Sequence, residues 1–411
     1  MQDASATIAA PADIPASELA VTNVPLTILA LAMGGFAIGT TEFAAMSLLP
    51  YFAAGLHVSE PMAAHAISAY ALGVVVGAPI IAVLSARLSR KFLLIALMAV
   101  FGIANCLSAI SPSYGWLIGF RFLSGLPHGA YFGIAALLAA SLVPPNKRAQ
   151  AVSSIMLGLT IAMIFGVALA TFIGQHAGWR WGFALPGLLA LATMAMIAAF
   201  APFDRPDAAA SPMRELSALQ NKQVWLTLAT GAVGFGGFFA VYSFTASTLL
   251  EVTRVDAWVV PVVIAIYGVG MTLGTIAAGR AADRNLMATP VWFMLASAAS
   301  LTLFPLAAGN VWTISAVILL IGFFGSLGAV LQTRLMDVAQ DAQTLAAALN
   351  HSAFNAANAL GPFLAGIVIT MGYGFPSAGF VGTVLALLGL AIWLYAWRDA
   401  RRAADRPLND W

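Results

Sequence analysis

Apolar stretches long enough to cross a bilayer recur along the chain, each closed off by a turn signal or a cluster of charge. At 1.5 Å of rise per residue, a helix needs about 20 apolar residues to cover the hydrocarbon layer. The pattern predicts twelve such helices, near residues 24–49, 63–85, 92–111, 115–140, 150–174, 180–201, 224–249, 258–280, 288–308, 311–334, 343–370 and 375–397. They fall as six, a gap, then six. The gap, 202–223, holds Asp204, Arg205, Asp207, Arg214, Glu215 and Lys222, the densest polar stretch between spans, and reads as a cytoplasmic linker. The expected fold is an all-α membrane protein. A disordered cytoplasmic tail (1–23) precedes an N-terminal six-helix bundle (24–201), and a C-terminal six-helix bundle (224–397) follows the linker and ends in a cytoplasmic tail (398–411).

Charge placement gives this layout a direction, because loops facing the cytoplasm carry an excess of Lys and Arg. With both ends inside, the inner segments hold Arg87, Arg90, Lys91, Lys147, Arg148, Arg205, Arg214, Lys222, Arg280, Arg284, Arg334, Arg398, Arg401, Arg402 and Arg406. The outer loops hold only Arg180 and Arg254, and Arg121 falls inside a span. Composition narrows the class further. The chain is 61% hydrophobic and 8% charged, against roughly 25% charged in a soluble domain, so its expected surroundings are a lipid bilayer. A net charge of +2 offers no basic field for nucleic acid. The single cysteine, Cys106, excludes an internal disulfide and a cysteine-based metal cluster, and the five histidines show no metal-ligand spacing. Residues 1–23 contain Asp3, Asp13 and Glu18 but no Lys or Arg, unlike a cleavable signal, so the first span is expected to stay in the mature protein.

Tyr70, Gly73 and Gly77 in the second span match Tyr267, Gly270 and Gly274 in the eighth at one fixed offset, which also carries Arg87 to Arg284 and Ala86 to Asp283. Six spans per copy put the two copies in the same orientation. The expectation is a pair of six-helix parallel repeats with a pathway at their interface near the bilayer midplane.

Few charges lie inside spans, and each is costly there, so Glu42 and Arg121 stand out. Counted along their helices they lie roughly 12 and 9 Å from the outer ends of spans one and four, at similar depth. Two readings are open: a buried ion pair that fixes packing, or a proton site facing a cavity. Burial penalises the charged carboxylate and a nearby guanidinium favours it, so cargo could tip Glu42 between its two forms. Gly35, Gly39, Glu42 and Met46 share a face of span one, and Arg121, Gly125, His128 and Gly129 share a face of span four, with Pro127 able to bend that helix. His128 reads equally as a cavity-lining group and as a satisfied interior histidine. In span seven, Phe235, Phe238, Phe239 and Tyr242 form an aromatic face whose default role is lipid contact or packing. Interhelical hydrogen bonding accounts for Asn350, His351, Asn355 and Asn358 in span eleven. Gln332 in span ten is a further cavity candidate.

These residues carry a resemblance to the major facilitator superfamily over nearly the whole chain, and within it to the twelve-span drug/proton antiporters of the arabinose-efflux and chloramphenicol-resistance-like branch. Gly39-Thr40-Thr41-Glu42-Phe43 resembles that branch's first-span signature, and Arg121 with Gly125-Leu126-Pro127-His128-Gly129-Ala130 resembles its fourth-span motif. Gly279-Arg280-Ala281-Ala282-Asp283-Arg284 resembles the second copy of the superfamily's cytoplasmic loop motif, and Gly158 to Gly174 resembles the fifth-span glycine motif of antiporters. Two departures stand out. In the first loop copy Ala86 replaces the acid that clamps the inward gate and Ser89 replaces a glycine, leaving Arg87, Arg90 and Lys91; in the fifth span, Ala168 and Ala170 stand where Pro and Gly are usual. The resemblance implies a rocking fold with spans 1, 4, 7 and 10 around the cavity. Together with the residue reading above, the expected site has proton coupling through Glu42 and Arg121, a substrate cavity including Gly39, His128, Phe239, Tyr242 and Gln332, and gating by Arg87, Arg90, Asp283 and Arg284.

The expected activity is proton-coupled efflux of a small amphipathic or sugar-like compound by alternating access, in a cell inner membrane. The alternatives are a facilitator or uniporter, or a nucleoside or metabolite exporter without proton coupling. An enzyme or receptor would need a catalytic cluster or an extramembrane domain, and no loop exceeds the central gap in length. The expected partners are the small-molecule substrate, protons and lipid, with no cofactor, and the chain is expected to act as a monomer.

Overall fold

The computed structural model describes residues 23–84, 88–144, 148–203, 216–339 and 343–404. Among them, twelve helices are long and apolar enough to cross a membrane. Spans 1 to 6 are Val24–Ser47, Glu60–Ile81, Arg90–Ala109, Tyr114–Ser141, Ser154–Ala177 and Trp179–Phe200. Spans 7 to 12 are Lys222–Thr253, Val259–Ala282, Thr289–Ala307, Val311–Ala339, Ala348–Tyr373 and Phe375–Arg402. An even number of crossings puts the start of span 1 and the end of span 12 on one face, called here the terminal face; the opposite one is the distal face.

Local chemistry sets the ends and the breaks. Asn23 caps span 1, its Oδ1 accepting from the Leu26 amide at 3.2 Å, with Pro25 in the first turn. Span 2 starts earlier than the apolar run suggested, because Ser59 caps a short helix that begins at Glu60 and carries Pro61. Glu60 therefore belongs to a span and not to a loop. Span 4 is two helices, Tyr114–Gly125 and His128–Ser141, broken where Pro127 cannot donate to the ladder. Span 7 breaks at Phe235 between Gly234 and Gly236, and span 5 carries a π-turn at Ala162–Gly166.

Packing repeats the internal symmetry. In the first half span 1 packs on spans 5 and 6, span 2 on span 4, and span 3 on span 6; in the second, span 7 packs on 11 and 12, span 8 on 10, and span 9 on 12. The two most extensive cross-contacts between halves, span 2 on span 11 and span 5 on span 8, also exchange under the same symmetry. Close approach enforces this. A Cβ at Gly73 would run into the Phe122 carbonyl, and one at Gly270 into the Leu319 carbonyl; Gly125 stands against the Tyr70 carbonyl as Gly322 does against that of Tyr267. The repeat thus extends from the glycines to their partners.

Exposed apolar side chains cover the outside of the bundle, Leu29, Leu72, Ile103, Phe165 and Val384 among them. Exposed tryptophans ring both ends: Trp116, Trp181, Trp258 and Trp312 at the distal face, Trp225 and Trp292 at the terminal face. Indole prefers the membrane–water boundary, so the two rings mark the hydrocarbon thickness.

Candidate functional site

The polar interior gathers where the halves meet. Glu42 is buried on span 1, and its Oε1 accepts a hydrogen bond from Asn358 Nδ2 on span 11 at 3.2 Å. Of the two readings left open for Glu42 and Arg121, the direct ion pair is not formed. Arg121, fully buried, instead lays its guanidinium over the Tyr70 ring at 4.3 Å and faces the Phe183 ring at 5.3 Å, and its Nη1 points to Asn105 Oδ1 at 3.4 Å. Asn105 is itself fixed by Thr41, whose hydroxyl donates to the same oxygen at 2.5 Å, and by its own bond to the Phe101 carbonyl at 2.8 Å. Matched depth was legible in the sequence; rotation about each helix axis, which decides who touches whom, is set by packing.

Around this centre lie buried polar atoms with no protein partner: Arg121 Nε and Nη2, the Tyr242 hydroxyl, Ser243 Oγ, Ser352 Oγ, and the Oδ1 atoms of Asn355 and Asn358. Buried polar groups are normally bonded, and leaving one unpaired costs about 1–3 kcal/mol. These unpaired groups come from spans 4, 7 and 11, and each has capacity left to bond water or a polar ligand.

Aromatic rings wall the same region. Phe43 stands beside Glu42, stacked on Phe239 at 6.3 Å and edge-on to Tyr242 at 5.4 Å. Tyr242 in turn meets Tyr267 at 4.7 Å. The span 7 stripe is therefore interior: Phe235 packs on Phe354, and Phe238 on Tyr267.

The other candidates fall as follows. Gly39 packs closely on Leu159 and Ala162 of span 5, so its missing side chain serves helix contact and not the cavity. His128 is buried, with Nδ1 2.9 Å from the Tyr70 hydroxyl. Gln332 accepts from Asn350 Nδ2 at 3.3 Å. Arg90 opens span 3 behind the Ser89 cap; Asp283 and Arg284 end the helix Val259–Arg284, with Arg284 exposed. Arg87 lies outside the described residues.

Sequence reasoning missed the distal clasps. Ser247 on span 7 donates to Glu60 Oε2 at the start of span 2, joining the halves. Gln175 on span 5 does the same, its Nε2 donating to the Ala257 carbonyl at 2.9 Å and to the Tyr51 hydroxyl at 3.0 Å. Burial holds the Tyr51 phenol above its usual range, and the Gln175 bond opposes that. Beside the Glu60 clasp, a cleft of 390 Å³ opens between spans 2 and 11, lined by Met62, His65, Phe363 and Thr370 among others. The sequence offered one hint, a carboxylate directly after a capping serine and before a proline.

Comparison with known proteins gives this architecture a context. The family model described as Major Facilitator Superfamily matches residues 31–340 and 260–410. The chain is 39% identical over 388 residues to the inner membrane transport protein YdhP of Escherichia coli, covering 93% of this chain and 97% of that protein. It is 30% identical over 349 residues to a chloramphenicol resistance protein of Streptomyces lividans, covering 83% and 88%. Among solved structures, a bacterial homolog of the human lysosomal transporter Spinster, in an inward-facing and unoccupied conformation, superposes with a TM-score of 0.66 at 17% identity, over 91% of this chain and 97% of the other.

Proposed function

This chain belongs to the Major Facilitator Superfamily, and on that premise we propose that it is a proton-coupled exporter of a small amphipathic or sugar-like compound. It is a multi-pass membrane transporter of small molecules and not an enzyme. In the proposed cycle the terminal face is cytoplasmic, the membrane is a cell inner membrane, and the two six-helix halves rock about the seam to expose the centre alternately to each side.

One observation carries the reading. Glu42 sits in the seam itself, bonded across it to Asn358 and surrounded by unpaired polar groups and aromatic rings. A carboxylate there exchanges a proton only when one side is open, and its charge state changes what its neighbours can bind. Cargo that engages Arg121, Asn355 and Asn358 competes with the interactions that stabilise the ionised form. Proton and cargo thereby occupy the site in turn, which is the requirement for antiport. Export as the direction is favoured by the chloramphenicol resistance relative, since resistance by a transporter means removal of the drug.

The test is substrate-induced proton movement in proteoliposomes, scanning a panel that includes chloramphenicol and labelled pentoses and comparing wild type with Glu42→Gln. Gln keeps the shape and can still accept from Asn358, so binding should survive while gradient-driven uphill export fails. Equal proton movement in the two proteins removes Glu42 from the mechanism; flux without proton movement in wild type identifies a facilitator.

A further inference from the structure

Two histidines that the Glu42 site does not require meet at the seam on its terminal-face side. The His128 ring is 5.9 Å from that of His351 on span 11. His351 lies flat against Phe132, at 4.9 Å and 2°, and is partly exposed, whereas His128 is buried. Imidazole is the side chain that ordinarily titrates nearest neutral pH. Here one imidazole belongs to each half.

The surrounding groups are few. Span 2 contributes Tyr70, bonded to His128 Nδ1. Span 4 itself contributes Tyr131, whose hydroxyl donates to the Leu31 carbonyl of span 1. The neighbouring Gln332 of span 10 and Asn350 of span 11 do not titrate and bond each other. Among the described residues no carboxylate is hydrogen-bonded to either ring. Span 11 acts as a ruler: Asn358, which holds Glu42, lies roughly two turns, about 10 Å, further from the terminal face than His351.

We propose that His128 and His351 form a two-histidine proton station, shared by the halves, that takes up and releases a proton at the terminal face; this rests on the proton-coupled reading above. The entering proton adds to a free ring nitrogen of His351, which becomes an imidazolium, and leaves to water by breaking the same N–H bond. His128 offers the pair's second acceptor, at the ring nitrogen that its bond to Tyr70 leaves free. Because the rings sit on opposite sides of the seam, a second proton on the pair sets like charges against each other and drives the halves apart there. Loading the station opens the face through which the proton leaves.

The test needs no cargo. In full-length protein carrying Cys106→Ala, spin labels at Leu88→Cys and Met336→Cys, exposed positions on the terminal face of opposite halves, report the opening by double electron–electron resonance in nanodiscs between pH 9 and pH 5. The station predicts that the open population rises as pH falls. In His351→Gln, and separately in His128→Gln, this response is lost or its midpoint moves by about one pH unit or more. His351→Asn serves as a second replacement should the first fail to fold. A wild-type response retained in the histidine variants overturns the station, and so does a wild type with no response. The coupling reading is judged independently by the Glu42→Gln flux experiment, whose failure alongside an intact histidine response leaves the pair's titration standing.

Discussion

Removing the Glu42–Asn358 bond one partner at a time measures the charge state of the carboxyl while the halves are together. The bond spans the seam at 3.2 Å and both residues are buried. A hydrogen bond to an ionised carboxylate contributes about 1.5–3 kcal/mol, against about 0.5–1.5 kcal/mol for a neutral pair. A double-mutant cycle with Glu42→Ala, Asn358→Ala and the combination isolates this term, because the effect of each residue on its other neighbours cancels. Spin labels at Leu29 and Phe363, exposed positions on the same two spans, read the ratio of joined to separated arrangements. At about 1.4 kcal/mol per tenfold, an ionised bond changes that ratio tenfold or more beyond the single-mutant effects. The bond favours the ionised form, so its contribution is largest at high pH and falls as Glu42 takes up a proton. The expected coupling is therefore in the upper range at pH 8 and the lower range at pH 5. Coupling indistinguishable from zero at both pH values would refute the cross-seam bond.

Four further outcomes are expected. Cysteines replacing Glu60 and Ser247, in a Cys106→Ala background, should oxidise to a cross-link that shuts the distal face and stops export until reductant is added; unimpaired export by the cross-linked protein would remove the clasp from the cycle. Arg121→Lys keeps the charge but loses the planar contact with Tyr70 and Phe183, so thermal stability should fall by about 1–2 kcal/mol; a wild-type melting curve would show that stacking contributes nothing. Gly125→Ala drives a methyl against the Tyr70 carbonyl and should cost about 1–3 kcal/mol, whereas Gly133→Ala meets open space and should be neutral or stabilising, an ordering that melting curves can reverse. Reporter fusions at Asp207 and after Trp411 should report cytoplasm and one at Glu60 the outside, and a periplasmic signal at Asp207 would invert the orientation.

The number and order of spans were readable because each span is a long apolar run, and hydrocarbon thickness leaves little freedom in length. The repeat was readable too, through Tyr70, Gly73 and Gly77, because a backbone approach as close as Gly125 on Tyr70 excludes every side chain. Azimuth was not readable. Glu42 and Arg121 lie at one depth, yet Asn358 from the other half reaches the carboxylate and Asn105 with Tyr70 receives the guanidinium. The asparagines of span 11 looked like general interhelical glue because nothing local distinguishes Asn358 from Asn350. The distal clasps were hidden for a related reason: Glu60 sits at a span boundary, where an acidic residue is unremarkable until Ser247 is seen opposite it.

Span 2 deserves a mechanical description. Glu60 at its distal end, Ser68, whose hydroxyl donates to the Ala359 carbonyl at 3.2 Å, and Tyr70 near its middle are carried on one stem. From Glu60 to Tyr70 is roughly 15 Å, and the glycine contacts with span 4 leave no slack for the stem to slide or bend there. A tilt that frees the clasp therefore carries Tyr70 with it. In an engineer's terms span 2 is a seesaw whose fulcrum is its glycine-lined seat on span 4. The distal clasp and the buried centre thus ride on one lever, and neither moves without the other.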